Sequence, residues 1–162
     1  MIRRFPEDPN TLPIAPLWRR FAAILYDSLL VIALLFVVTA LYLAAAAGIM
    51  GTEELKTHLD SGGMERDPFY KTVLFLSVFF FFAYFWQRIG QTLGMQVWRI
   101  RIQNADGTSI TWTQCLLRFM IAILSWLCLG LGYFWMLWDR DRLTWQDRYS
   151  ESKVVVVPLR KN

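Results

Sequence analysis

The sequence predicts an all-α integral membrane protein with two or three transmembrane helices and a small cytoplasmic β element of two or three strands. Three observations predict it. Apolar residues make up 56% of 162 positions and aromatics 16%, more than the roughly 45–50% apolar content of a soluble domain. The apolar residues are gathered in three long blocks rather than dispersed. Between the second and third block lies a stretch that alternates with a period of two, as a strand does and a helix does not. The net charge of +4 falls between apolar blocks, where it suits membrane topology and anionic headgroups better than nucleic acid.

Residues 1–15 read as a flexible N-terminal arm. Pro6, Pro9 and Pro13, followed by Pro16, forbid a continuous helix. Residues 16–157 read as the membrane domain and 158–162 as a C-terminal tail. Phe21 to Met50 is the first apolar block, interrupted only by Asp27, Ser28 and Thr39. Ser28–Ala47 alone supplies the roughly 20 residues that a spanning helix needs. A cleaved leader is the rival reading, but the block is long for one, carries Asp27, and is followed by further apolar blocks.

Gly51 to Asp67 is a loop closed by Pro68, with a short surface helix expected at Glu53–Lys56. Phe69 to Trp86 is the second span, and Gln87-Arg88 follow where the chain leaves through an aromatic belt. Gln96 to Gln103 reads as a half-buried strand, and Asn104-Ala105-Asp106-Gly107 as a turn. Thr111-x-x-Gln114 has the pattern of a capping box. Cys115 to Trp138 is the third apolar block, with Arg118 inside it and Gly130 and Gly132 near its end. It reads either as an ordinary third span or as a re-entrant, bent helical hairpin turning near Gly130–Gly132. The segment Lys153–Val157 reads as a second strand.

Basic residues mark the cytoplasmic side. The N-terminal arm and its junction carry four (Arg3, Arg4, Arg19, Arg20), the first loop three (Lys56, Arg66, Lys71), the second loop three (Arg88, Arg99, Arg101), and the tail six (Arg140, Arg142, Arg148, Lys153, Arg160, Lys161). This places the N-terminus in the cytoplasm and the first loop outside. A third full span would put the most basic segment outside. It would also separate the two strands, so the C-terminus is expected in the cytoplasm as well.

Arg20-x-x-Ala23-x-x-x-Asp27 heads the first span. Gly90-Gln91-Thr92-Leu93-Gly94 follows the second, then a basic strand with Asp106-Gly107, then Asp147-Arg148 before a valine-rich strand. This order resembles the RDD family of bacterial membrane proteins over about residues 16–157. The resemblance implies the bacterial cytoplasmic membrane, and transport of ions or small ligands is the usual suggestion for relatives. By position, the arginine and two aspartates that name the family look like Arg20, Asp27 and Asp147, with Asp139 the rival for the last. The sequence departs from the pattern at Met95, where a basic residue is common, and at Gln146, where histidine is.

Arg20 and Asp27 lie seven positions apart, on one helix face but two turns apart, too far for an ideal ion pair. Each therefore needs a partner elsewhere. Arg20 also reads as a topology anchor facing phosphates. Asp27 reads as half of a buried ion pair that locks helices together, or as a protonatable or cation-binding carboxylate. Arg118 is the expected partner of Asp27, and Asp139 and Asp147 the expected partners of Arg20. Gly90 and Gly94 read as turn glycines at the membrane exit rather than as a helix-dimer motif. Cys115 and Cys128 read as small buried apolar residues. With one histidine and no phosphate loop, triad or metal-ligand spacing, no metal or cofactor is expected and nothing supports an enzyme.

Two functional classes follow. In one, the chain is a subunit of an oligomeric transporter or channel for a cation or small solute. In the other, it is an accessory membrane protein that binds a partner complex or anionic lipid, with its buried charges purely structural.

Overall fold

The computed structural model describes residues 2–158. The C-terminal tail beyond Pro158, including the basic pair Arg160 and Lys161, lies outside the described residues. The described chain forms two compact units, one built from residues up to Ser28 together with Phe81 onward, the other from Leu29–Phe80.

Helix α1 runs Leu17–Met50. Pro16 precedes it, and no proline or glycine interrupts it before Gly48. It ends at Gly51, whose φ of 86° takes the chain out of the helix. At about 1.5 Å per residue its 34 residues exceed the hydrocarbon thickness of about 30 Å. Helix α4, Pro68–Arg88, starts with proline in its first turn, where the missing N–H costs nothing. The Asp67 side chain accepts the Phe69 amide there at 2.8 Å. These are the two helices long and apolar enough to cross a membrane. Leu29, Phe36 and Leu41 on α1, and Phe69, Phe75 and Phe80 on α4, are exposed. Apolar surface so extensive suits lipid and not water.

In the Leu29–Phe80 unit the two helices are tied by polar groups. Thr39 and Tyr70 share a hydrogen bond of 2.8 Å between their hydroxyls. The Tyr42 hydroxyl donates to Asp67, and its ring lies 4.9 Å from that of Tyr70. Two short helices, α2 (Thr52–Asp60) and α3 (Gly63–Arg66), fill the connection. The surface helix expected at Glu53–Lys56 is the first turn of α2.

The other unit is built around a two-stranded antiparallel sheet. Strand β1 (Ile100–Asn104) pairs with β2 (Ser152–Val156) in the register Ile100 to Val156 through Asn104 to Ser152. Two expectations are corrected here. The strand expected over 96–103 begins only at Ile100, because Leu93–Val97 is a short helix, α5, capped by the Thr92 hydroxyl accepting from Met95 N–H. Arg99, with φ 52°, separates the two. The alternation also does not produce an exposed face, since Arg101 and Gln103 are as buried as Ile100 and Ile102.

Both edges of the sheet are covered. On the β1 side, Ile102 N–H donates to Gly90 O at 2.8 Å, and the Gln91 amide donates to Ile100 O at 2.9 Å. On the β2 side, Ala15 N–H donates to Val154 O at 2.8 Å and Val156 N–H to Pro13 O at 2.9 Å. Where the prolines lead one to expect a flexible arm, residues 3–15 therefore form a strap. Its far end is held by Phe5 N–H donating to Gly107 O and Ser109 N–H donating to Arg3 O. Arg101 fixes the middle, pairing with Glu7 at 2.8 Å and lying 4.0 Å over the Phe5 ring.

The third apolar block is not one straight helix. Helix α6 (Trp112–Leu127) begins at the Thr111–Gln114 capping box, which is fully formed. The chain breaks at Leu129 and Gly130, with φ of 56° and 79°. It resumes as α7 (Leu131–Phe134) and a 3-10 turn through Leu137, bent 108° from α6. Helix α8 (Trp145–Tyr149) then packs on α6 and leads into β2. Cys115 is buried as expected, but Cys128 is exposed, because it sits at the end of α6 where the chain turns outward.

Candidate functional site

Two charged clusters lie within the sheet-bearing unit, and they differ in how their acid is satisfied. The first joins α1, α6 and α8. Arg20 Nη1 donates to Asp147 Oδ2 at 2.6 Å, and Arg118 Nη2 donates to Asp147 Oδ1 at 2.9 Å. All three side chains are at most 6% exposed. Thr144, Asp147 and the backbone form a second capping box at the start of α8, with Thr144 N–H donating to Asp147 Oδ2 at 3.2 Å. Further donors of both guanidiniums are engaged. Arg20 Nε donates to Ala15 O at 3.0 Å, and Arg118 Nη1 donates to Ser152 Oγ at 2.5 Å and Ser150 Oγ at 3.3 Å.

Burial by itself would raise the Asp147 carboxyl, but the Arg20 and Arg118 guanidiniums outweigh it and hold the group below its ordinary value. A buried charge is tolerable only when paired and hydrogen-bonded, and this carboxylate is both. The cluster anchors the start of α1 to α6 and α8.

The second cluster surrounds Asp27, about two turns along α1 from Arg20 on the same face. Its side chain is buried. Thr92 Oγ1 donates to Asp27 Oδ2 at 2.5 Å, and Gly94 N–H donates to Asp27 Oδ1 at 2.9 Å. No basic group pairs with it among the described residues. The fit is close at Gly94, where a Cβ would lie 2.5 Å from Ala23 O and 2.8 Å from Asp27 Oδ1. This corrects the expected pairing of Asp27 with Arg118. Two guanidiniums converge on Asp147 because α8 brings that carboxylate to α6 and α1 together, which leaves Asp27 to neutral donors.

The other expected residues fall as follows. Asp139 does not meet Arg20. It accepts from Leu143 N–H at 2.9 Å and pairs with Arg148 at a partly exposed position. Its carboxyl lies below its ordinary value, first because of that backbone donor and then because of Arg148. Gly90 is a turn glycine with φ 76°. Gly94 is in the first turn of α5 rather than in a turn, and its amide is a ligand of Asp27.

Sequence reasoning missed Thr92, Ser150 and Ser152 as partners of the charges. Thr144-x-x-Asp147 was a readable signal for α8. Nothing local marked Thr92 as the partner of a residue 65 positions away. Of the departures noted, Met95 is buried in α5, and Gln146 is buried with neither amide atom hydrogen-bonded.

Among the described residues no group of three histidine, cysteine or carboxylate side chains could hold a metal ion. No curated protein and no solved structure matches the chain. The model of the RDD family matches residues 14–151, which span Arg20, Asp27, Arg118 and Asp147, and the chain belongs to that family.

Proposed function

We propose that this protein is a non-enzymatic, multi-pass protein of the bacterial cytoplasmic membrane and a subunit of an oligomeric transporter or channel for a cation or small solute, with Asp27 as its charged station. One observation carries the reading. Asp27 is a buried carboxylate on an apolar helix with no basic partner among the described residues, whereas Asp147 takes two arginines. An intramembrane acid costs about 2.5–3.5 kcal/mol at the bilayer centre and less toward the interface. An acid whose charge is wanted only for structure gains most from a cation, and among the described residues none pairs with Asp27. Two crossing helices enclose little space, so a path requires several copies.

The topology that fits this reading has α1 and α4 crossing once each and α6–α7 dipping in and returning. Residues at the entry to α1 and at the exit of α4 both hydrogen-bond the sheet. β1 precedes α6 and β2 follows α8, and their pairing supports a reading with both ends of the third apolar block on one membrane face. The basic residues of the arm, the second loop and the tail then share the cytoplasmic side. Cysteines placed at Ser61 and at Glu151 test it. An impermeant thiol reagent applied to intact cells should label the first and spare the second, and the reverse result rejects the arrangement.

A second reading is favoured by the dense hydrogen bonding of the Arg20–Asp147–Arg118 cluster, whose charges meet one another. In it, all the buried charge serves assembly, and the protein is an accessory that binds a partner complex or anionic lipid. Mass measurement in mild detergent with flux in proteoliposomes separates the two. Self-association and an ion flux lost in Asp27→Asn support transport. A monomer that co-purifies with one larger complex, and no flux, supports the accessory role.

A further inference from the structure

The chemistry around Asp27 specifies what it can bind. Both carboxylate oxygens already receive hydrogens, one from the Thr92 hydroxyl and one from the Gly94 amide. Thr92 Oγ1 itself accepts from Met95 N–H at 3.2 Å, so its only hydrogen is committed to Asp27. A bare or partly hydrated metal cation needs several oxygen ligands with their lone pairs turned toward it. Here the hydrogens of two donors take one lone pair on each carboxylate oxygen, and Thr92 Oγ1, which donates to the carboxylate, turns a hydrogen and not a lone pair toward it. Ala23 O and Asp27 Oδ1 are packed against Gly94 so closely that a methyl group does not fit, and among the described residues no group of three histidine, cysteine or carboxylate side chains stands here to complete a metal site.

Among the described residues, no other charge pairs with the carboxylate. Arg20, on the same helix, is bound to Asp147, and so is Arg118. The facing segment 89–97 contains no titratable residue. Arg88 and Arg99, at its two ends, are exposed, with Arg88 over the Tyr84 ring.

A proton meets none of these obstacles. When Asp27 takes one up on Oδ2, the acid O–H donates to Thr92 Oγ1, and the short hydrogen bond between the same two heavy atoms runs in the opposite direction. The Thr92 hydroxyl hydrogen rotates away, and Oγ1 still accepts from Met95 N–H. Charge changes by one while heavy atoms stay in place. We propose that Asp27, Thr92 and the Gly94 amide form a proton-binding site that excludes metal cations, so that the ion carried or sensed here is the proton. The inference deepens the transport reading and rests on it only for the word carried.

The test is infrared spectroscopy of the purified full-length protein in mild detergent, titrated from alkaline to acid buffer. A carboxylic-acid carbonyl band should appear on acidification and be absent in Asp27→Asn. Lithium, sodium, potassium and calcium chlorides at fixed pH should leave it unchanged. Thr92→Val should move the band, because its hydroxyl partner is gone, while Thr92→Ser should leave it near the wild-type position. Should Asp27→Asn fail to accumulate, the Thr92→Val displacement assigns the band in its place. Loss of the band on adding one of the salts overturns the proposal, and so does the absence of any Asp27-dependent band while the protein stays folded. A titrating band without Asp27-dependent flux in vesicles rejects transport and keeps the proton site. A flux of metal ions with a salt-sensitive band does the reverse.

Discussion

Arg20 Nη1 and Asp147 Oδ2 meet at 2.6 Å across 127 positions of sequence, with the two side chains 5% and 0% exposed. Arg118 completes the pair from the other side at 2.9 Å. One carboxylate therefore ties the head of the first long helix to two elements of the C-terminal half.

Asp147→Asn leaves two buried guanidiniums with a single neutral acceptor. Breaking a buried pair by removing one partner costs about 3–5 kcal/mol. The expected outcome is a large drop in the thermal midpoint in detergent, or failure to accumulate. Asp139→Asn is the control. It faces the partly exposed Arg148, where solvent screens the pair, so its midpoint should stay close to wild type.

The pH dependence follows from the sign of the Asp147 shift. Burial raises the carboxyl, the guanidiniums lower it further than burial raises it, and the folded value lies below the unfolded one. The stabilisation is therefore fully present above the ordinary carboxylate value of about 3.9 and is lost as pH falls through the lower, folded value. The thermal midpoint should stay level from neutral pH down through mildly acid buffer and drop in strong acid. An earlier loss, in mildly acid buffer, would contradict the assignment of Asp147 as a charged lock.

Gly94→Ala and Gly130→Ala should fail to different degrees. At Gly94 the added Cβ meets the Ala23 carbonyl oxygen and the Asp27 carboxylate, neither of which can swing aside. Overpacking of this kind costs about 1–3 kcal/mol, and the Asp27 hydrogen bonds should be lost with it. At Gly130 the nearest atoms lie 3.7 Å away or more, and only its φ of 79° resists, which costs about 1 kcal/mol. Denaturation midpoints of the two variants check the order.

Arg101→Met should loosen the N-terminal strap while keeping the sheet. The substitution removes the ion pair with Glu7 and the contact over Phe5 but preserves an apolar stem of similar length. Limited proteolysis should then cut within residues 3–12 faster than in wild type, with the rest of the digest unchanged. Amide hydrogen exchange at Phe5 and Ser109, whose amides donate between strap and turn, gives an independent measure.

Much of the helical framework was legible in the sequence. Pro16 and Gly51 bracket α1, Pro68 opens α4, and Thr111-x-x-Gln114 opens α6, because proline, glycine and capping side chains act within a few residues of themselves. The bend near Gly130 was one of two readings the sequence left open, the other being an ordinary third span. The strand start was not, since Thr92 caps a helix that competes with the period-two pattern, and the burial of Arg101 depends on a strap from the other end of the chain. Of the charges, Arg20 was expected near Asp147 and lies there. Arg118 was expected near Asp27 and does not.

The sequence by itself determined that the chain carries at least two segments apolar and long enough for a membrane, their bounds to within a few residues, and which family it belongs to. These depend on composition and on neighbours a few positions away. Only the tertiary structure decided which buried acid receives a cation. That choice is made by α8, which places Asp147 where two guanidiniums reach it, and by α5, which offers Asp27 a hydroxyl and an amide instead. Hydrophobic run length is a local quantity, whereas the partner of a buried charge is whatever the fold brings within about 3 Å.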